Sequence, residues 1–563
     1  MALFLKNPDH IAIKPWKAWA VVVLASLFTW GLVLERMGVL KISFSRSGAV
    51  SIELDGRRFP KAPPSEPGVP APPIEPGPIG PTPEKEQRPN LVVIMTDDQD
   101  AASLWVMDKV NRYLTQKGTT FSNNFISYSL CCPSRASFLT GQYAHNNGVL
   151  GNIPPQGGYY ALDHTNTLAV WLQTVGYQTV HIGKYLNGYG TPSASDIAKV
   201  DEYIPPDEAS LAQIAVPAAL EIPPGYSQWY GLVDPFTYSY YNYVINENGK
   251  LQKYGNRPQD YQTDVLTQKA VDFIEKDTVD SEPFFLVVAY VTPHAGLPQP
   301  ITEPEPPPRY KNALKNCNLP KPSSFNEKDV SDKASINQFK IMTPSEIKAV
   351  ESSYCNRLRS LLAVDDGVER IIKALEKSDK LSNTFVFFTS DNGFMQGEHR
   401  IPQGKGFPYE ESVRTPLIVL GPGVLAGKTL TQLVGNIDLA PTMMELAQAE
   451  ADRIMDGLSL AALLKDPAPV SWRNDYLLES LQEYLYGALR NDRYLFAEFT
   501  ITSGESKSST TAAELYNFLD DSCHKADPYQ LENQAKNACY APLQTELNKR
   551  LQALKACSGQ SCW

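Results

Sequence analysis

Four stretches of the chain run apolar on both faces for the length of a strand and then break into polar residues. Leu91-Val92-Val93-Ile94-Met95 ends in Thr96-Asp97-Asp98-Gln99-Asp100, and Gln178-Thr179-Val180-His181-Ile182 runs into Gly183-Lys184-Tyr185-Leu186-Asn187. Phe284 to Tyr290 leads to Val291-Thr292-Pro293-His294, and Thr384 to Thr389 to Ser390-Asp391-Asn392-Gly393. Apolar runs without alternation suit strands covered on both faces. Between them, helical patterns occupy Leu168 to Val175, Asp264 to Lys276 and Ser345 to Lys377. Strands alternating with helices predict an α/β fold, a large mixed and mostly parallel sheet sandwiched between helices. In such sheets the site lies beyond the carboxyl ends of the strands. Each polar cluster sits at such an end, so four strands aim their exit residues at one rim.

Outside this pattern the chain divides readily. Residues 1–17 form an N-terminal flank, and the apolar run 18–34, between Lys17 and Glu35-Arg36, reads as a transmembrane signal-anchor or a signal peptide. Residues 35–88 are a juxtamembrane segment, with a hairpin suggested before residue 58, and a linker rich in Pro and Gly from Pro60 to Pro83. The main α/β domain is expected over 89–465 and a smaller α+β subdomain over 466–563. The stretches 190–262 and 296–345, rich in Pro, Asn and either Tyr or Lys, read as irregular insertions over the rim, where substrate selection would live.

Charge and cysteine usage narrow the setting. A net charge of −11 without a basic stripe excludes a nucleic-acid partner. Eight cysteines behind an apolar N-terminal run suggest an oxidising, extracytoplasmic compartment, with the protein membrane-anchored or secreted. Cys317 with Cys355, Cys523 with Cys539 and Cys557 with Cys562 are plausible bridges, although spacing does not fix connectivity. Cys131 and Cys132 are left over. They stand where a helix begins, since Pro133 suits a first turn and Gly141 a stop. A helix N-terminus with Arg135 one turn on would be electropositive, so Cys131 is either a reactive thiol or an inert buried one.

The strand ends supply the remaining chemistry. Asp97, Asp98, Asp391 and Asn392 are hard oxygen ligands, which favour Ca²⁺ or Mg²⁺ over a transition metal. Arg135, Lys184 and Lys405, the last in Gln403-Gly404-Lys405-Gly406, bring three cations to the same rim of an acidic protein, as a sulfate or phosphate site requires. His294 is placed to pass a proton to a leaving group, with His145, His181 and His399 as supporting or structural residues.

Together these residues resemble the sulfatases of the alkaline-phosphatase-like superfamily, from about Pro89 to the C-terminus. The resemblance rests on Asp97-Asp98, Cys131-x-Pro133-Ser134-Arg135 with Leu139-Thr140-Gly141, Gly183-Lys184-Tyr185, Pro293-His294, Asp391-Asn392-Gly393 and Gly404-Lys405-Gly406. It implies that a formylglycine-generating enzyme oxidises Cys131 to Cα-formylglycine. The aldehyde hydrate would bind Ca²⁺, Mg²⁺ being the lesser choice, with Asp97, Asp98, Asp391 and Asn392, and one hydroxyl would attack sulfur. Arg135 would hold the hydrate, Lys184 and Lys405 the sulfate oxygens, and His294 with Lys405 would assist departure of the alcohol. Loss of the second hydroxyl proton would then release sulfate.

The pattern departs from many arylsulfatases at Leu186, where they carry a histidine. Gly183-Lys184-Tyr185-Leu186-Asn187, the doubled cysteine and Tyr143-Ala144-His145-Asn146 are similar to the N-acetylglucosamine-6-sulfatases, a resemblance under which His145 or Asn187 of this chain would serve instead; Gly397-Glu398-His399 and Gly404-Lys405-Gly406 are similar to general arylsulfatases. The expected activity is hydrolysis of an aryl or carbohydrate sulfate by an arylsulfatase-type enzyme. The alternatives are a formylglycine-dependent phosphonate monoester or phosphodiester hydrolase, and a non-catalytic, membrane-tethered Ca²⁺-binding protein.

Overall fold

Asn90–Thr96 (β1) is buried at every position, as a strand covered on both faces must be. The computed structural model describes residues 40–44, 50–54, 88–191, 216–276, 282–296, 303–334, 336, 339–465, 471–482, 484–503 and 508–563. Two compact units are present, Met1–Pro83 and Glu84–Trp563. In the first, Leu40–Phe44 and Val50–Leu54 pair antiparallel, the hairpin suggested before residue 58. The apolar run 18–34 and the Pro-rich linker 60–83 lie outside the described residues. Among the described residues no helix is long and apolar enough to cross a membrane.

The second unit is built on a ten-stranded sheet. Besides β1, its strands are Thr119–Phe121 (β2), Gln178–Gly183 (β3), Gln228–Leu232 (β4), Val244–Glu247 (β5), Leu251–Lys253 (β6), Phe284–Ala289 (β7), Thr384–Ser390 (β8), Leu417–Leu420 (β9) and Lys428–Leu430 (β10). The spatial order is β10-β2-β9-β8-β1-β7-β3-β4-β5-β6. The five strands from β8 to β4 are mutually parallel, and antiparallel strands extend both edges. The sheet is therefore mixed and mostly parallel at its centre.

The helices follow the periodicity closely. Cys131–Thr140 (α1) ends on Gly141 at φ 67°, a left-handed stop that glycine adopts without strain. Leu168–Thr174 (α2) and Gln262–Ile274 (α3) lie within a residue or two of the expected spans. Pro344–Lys377 (α4) opens on a capping box in which Thr343 and Glu346 satisfy each other's backbone N–H groups. Leu439–Leu446 (α5) packs beside α1. A second sheet, Asp475–Ser480 (β11), Tyr486–Asn491 (β12), Tyr494–Ser503 (β13) and Ser508–Asn517 (β14), is wholly antiparallel and precedes the closing helix Ala541–Leu554 (α6).

Three disulfides join Cys317 to Cys355, Cys523 to Cys539 and Cys557 to Cys562, and Cys131 and Cys132 are free and buried. One region differs from expectation. Within 190–262, read as irregular, β4, β5 and β6 extend the main sheet. They are short strands of three to five residues interrupted by Tyr and Asn, so neither an apolar run nor a clean alternation announces them.

Candidate active site

Register places the strand ends level. Thr96 pairs with Ser390, Met95 with Ala289, and Ala289 with Gly183, so the residue after each strand emerges at the same height. The backbone ladder continues past the strands through Asp391 N–H to Thr96 C=O at 3.1 Å and Lys184 N–H to Ala289 C=O at 2.9 Å. Gly183 permits this close approach: at φ 109° it has no Cβ, and one would stand 2.0 Å from the Ala289 carbonyl oxygen. Above this row, α1 delivers Cys131 as its first residue, almost fully buried.

Carboxylates and cations interlock around that thiol. Ligand atoms of Asp97, Asp98, Cys131 and His294 all lie within 4.8 Å of one another. Lys405 Nζ is 2.9 Å from Cys131 Sγ, pairs with Asp98 and stands 3.9 Å from Asp97. Lys184 pairs with Asp97. Arg135 donates to Asp391 at 2.8 Å, to Asp97 at 3.3 Å and to the Lys184 carbonyl at 2.8 Å. His294 Nε2 is 3.5 Å from Asp98, while Nδ1 lies 2.7 Å from the Ala295 carbonyl. A carbonyl only accepts, so Nδ1 carries a proton and Nε2 faces the site.

Asp97, Asp98, Asp391 and Asn392 are all but fully buried, and they fit a hard divalent cation. The donors are oxygens, and the Asn392 Oδ1 is buried with no hydrogen-bond partner, while its Nδ2 donates to Asp98 at 2.6 Å. Burial pushes the Asp97 carboxyl up, but Lys184, His294, Arg135 and Lys405 outweigh it and hold the acid well below the usual range. Asp98 goes the same way, burial being outweighed chiefly by Lys405 and His294. Burial raises Asp391, with the charge of Asp97 adding to it, and burial lowers the His294 imidazole. The thiol of Cys131 is pushed up by burial and by Asp97, so at neutral pH it is protonated and not an activated thiolate.

The nine main candidates, Asp97, Asp98, Cys131, Arg135, Lys184, His294, Asp391, Asn392 and Lys405, thus form one cluster. Of the supporting candidates, His145, His181 and His399 lie in other networks, and Asn187 reaches the cluster only through Tyr238. His145 is held by Glu479 at 2.8 Å and by the Cys557 carbonyl at 3.0 Å, and His399 by Glu327 at 2.7 Å. His181, on β3, is buried and stacked on Trp229. Asn187 bonds Cys132 and Tyr238. Two residues at the cluster were not anticipated. Arg357, on α4, donates to the Asp98 carbonyl and at 3.1 Å to the Pro293 carbonyl. Tyr238, in the turn between β4 and β5, lies against His294 and Lys184. Arg357 did leave a signal, a charge on the apolar stripe of Tyr354, Leu358, Leu361 and Val364.

The family described as Sulfatase matches residues 89–449, well over half of the chain. The chain belongs to the sulfatase family. A second description, N-sulphoglucosamine sulphohydrolase, C-terminal, matches residues 397–557. The sulfatase is 33% identical to N-acetylglucosamine-6-sulfatase of Capra hircus, over 84% of this chain and 85% of that one. To an arylsulfatase of Volvox carteri it is 29% identical, over 84% and 76% respectively. It therefore stands nearer the first, and the arylsulfatase subtype expected from the sequence is not confirmed. In structure it resembles a protein solved in complex with its substrate D-glucosamine-2-N,6-O-disulfate, with TM-score 0.63, 24% identity and coverage of 83% and 97%. That likeness carries the fold, a mostly parallel sheet with helices and a separate C-terminal sheet.

Proposed function

We propose that this sulfatase hydrolyses a carbohydrate sulfate, a 6-O-sulfated N-acetylhexosamine, to the sugar and inorganic sulfate. The observation that carries the reading is the place of Cys131, at the head of α1 with its Sγ 2.9 Å from Lys405 and among the carboxylates of Asp97 and Asp98. The substrate class is supported by the 33% identity to an N-acetylglucosamine-6-sulfatase. Cys131 acts after conversion to Cα-formylglycine, which supplies an oxygen nucleophile that a protonated thiol does not. Asp97, Asp98, Asp391 and Asn392 would hold Ca²⁺, which supplies positive charge to an ester oxygen and to that nucleophile.

The chain's own residues do the rest. Lys184 and Lys405 neutralise the charge that develops on the sulfate oxygens. Arg135 holds Asp97 and Asp391 in one orientation through a three-point fork. His294 Nε2 gives its proton to the departing sugar oxygen; burial disfavours the imidazolium in the free site, and the anionic ester beside it restores it. Maturation requires a formylglycine-generating enzyme. An extracytoplasmic location, with residues 18–34 as anchor or signal, accords with the three disulfides.

The test compares kcat/KM on N-acetylglucosamine 6-sulfate, 4-nitrophenyl sulfate and an aryl phosphodiester. The reading expects turnover of the sugar sulfate and weak activity on the diester. Faster turnover of the diester would replace it with the phosphodiesterase alternative, and no turnover of any ester would favour the binding protein.

A further inference from the structure

Cys132 and Asn187 take no part in the proposed chemistry, yet they touch each other and lead into the site. The Asn187 backbone N–H donates to Cys132 Sγ at 3.0 Å, and the thiol donates to Asn187 Oδ1 at 3.3 Å. Asn187 Nδ2 then donates to the Tyr238 hydroxyl at 2.8 Å. The ring of Tyr238 lies 4.4 Å from the His294 ring, centroid to centroid, and Lys184 Nζ stands 4.6 Å from its centre. One aromatic ring therefore meets both the proposed proton donor and one of the proposed sulfate-binding cations.

We infer that Tyr238 is a positioning residue, fixing the ring plane of His294 and the approach of Lys184, and that Asn187 and Cys132 hold it in place. The inference rests on the roles proposed for His294 and Lys184. Otherwise the His294 backbone carbonyl accepts from Tyr240 at 2.6 Å, and the ring is held only along the line of its two nitrogens, Nδ1 at the Ala295 carbonyl and Nε2 3.5 Å from Asp98. Neither contact stops the imidazole tilting about that line, whereas a packed ring face does. Lys184 carries a long flexible stem, and a cation over an aromatic face is drawn to one place. Cys132, fully buried, both accepts from and donates to Asn187, so it fixes the backbone of the loop that bears Lys184 as well as the amide that reaches Tyr238. This assigns the second cysteine of the pair a task that alanine cannot perform.

The test is Tyr238→Leu beside Tyr238→Phe, with conversion of Cys131 and the melting temperature measured for each. On N-acetylglucosamine 6-sulfate, whose alcohol is a poor leaving group, the Leu variant should lose about tenfold or more in kcat with KM changed by less than about twofold. On 4-nitrophenyl sulfate, whose leaving group needs no proton, the loss should be at least about fivefold smaller. The Phe variant, which keeps the ring but loses the bond from Asn187, should fall between the parent and the Leu variant on the sugar sulfate and stay within about threefold of the parent on the aryl sulfate. Equal losses on the two substrates, or no loss, would overturn the inference.

An independent readout is the imidazole proton resonance of His294. Ring current from Tyr238 should shift it upfield in the parent and Phe proteins and not in the Leu variant; a resonance indifferent to Tyr238→Leu overturns the inference. A parent protein inactive on every sulfate would overturn the proposed function alone, because the resonance still reports the positioning. Should the Leu variant fail to fold, Asn187→Ala releases the ring without removing it and is judged by the same two outcomes.

Discussion

Arg357 shows how a residue far from the motifs in sequence shapes the site. Its guanidinium stands 4.2 Å over the Phe394 ring and reaches the Asp98 and Pro293 carbonyls, so it ties the chain after β1 to the chain after β7. Asp98 itself sits at φ 66°, a left-handed conformation that an L-residue holds only when its surroundings fix it. Arg357→Met keeps much of the stem and removes the fork. On the proposed reading it lowers activity about 10- to 100-fold, because residues that orient metal ligands contribute on that scale. The Ca²⁺ concentration giving half-maximal activity should rise in parallel. An unchanged Ca²⁺ requirement would place Arg357 in the packing alone.

At the scale of elements, the level ends of β8, β1, β7 and β3 make the site, and Gly183 is the tightest joint among them. Gly183→Ala sets a Cβ 2.0 Å from a backbone carbonyl at a φ of 109°, so the two strands must separate. The expected cost is roughly 2 kcal/mol or more of stability, read by denaturant titration, together with reduced activity because Lys184 follows directly. The central strands and the residues that leave them were legible in the sequence. Strands apolar on both faces end abruptly in polar residues, and the parallel register does the rest. The edges were not legible. Strands β2, β5, β6, β9 and β10 have three or four residues each, too few for periodicity to speak. Tyr238 was hidden for a related reason, since its role depends on how a loop of many tyrosines folds back. His145 and His399 show the converse, histidines in motif-like company that the fold commits to buried carboxylates elsewhere.

For the catalytic unit as a whole, the C-terminal sheet is bound to the body through charges close to the site's own elements. His145 follows α1 and bonds Glu479 on β11 as well as the carbonyl of Cys557, beyond α6. Burial pushes His145 down, but the hydrogen bond and charge of Glu479 outweigh it, so its folded value lies above the ordinary one. A raised value means stability fully present below the unfolded pKa of about 6.5 and lost as pH rises through the folded one. The melting temperature of the parent should therefore exceed that of His145→Gln most clearly below about pH 6.5, and the gap should narrow as pH rises above it. A gap independent of pH would contradict the ion pair. Everything proposed for the reaction, however, turns on the side chain at the head of α1. The most direct measurement is the mass of the peptide containing Cys131, taken from protein with sulfatase activity. The proposal requires replacement of the thiol by an aldehyde, one sulfur and two hydrogens lost and one oxygen gained, in a fraction that tracks specific activity. An intact thiol at Cys131 in fully active protein would contradict it.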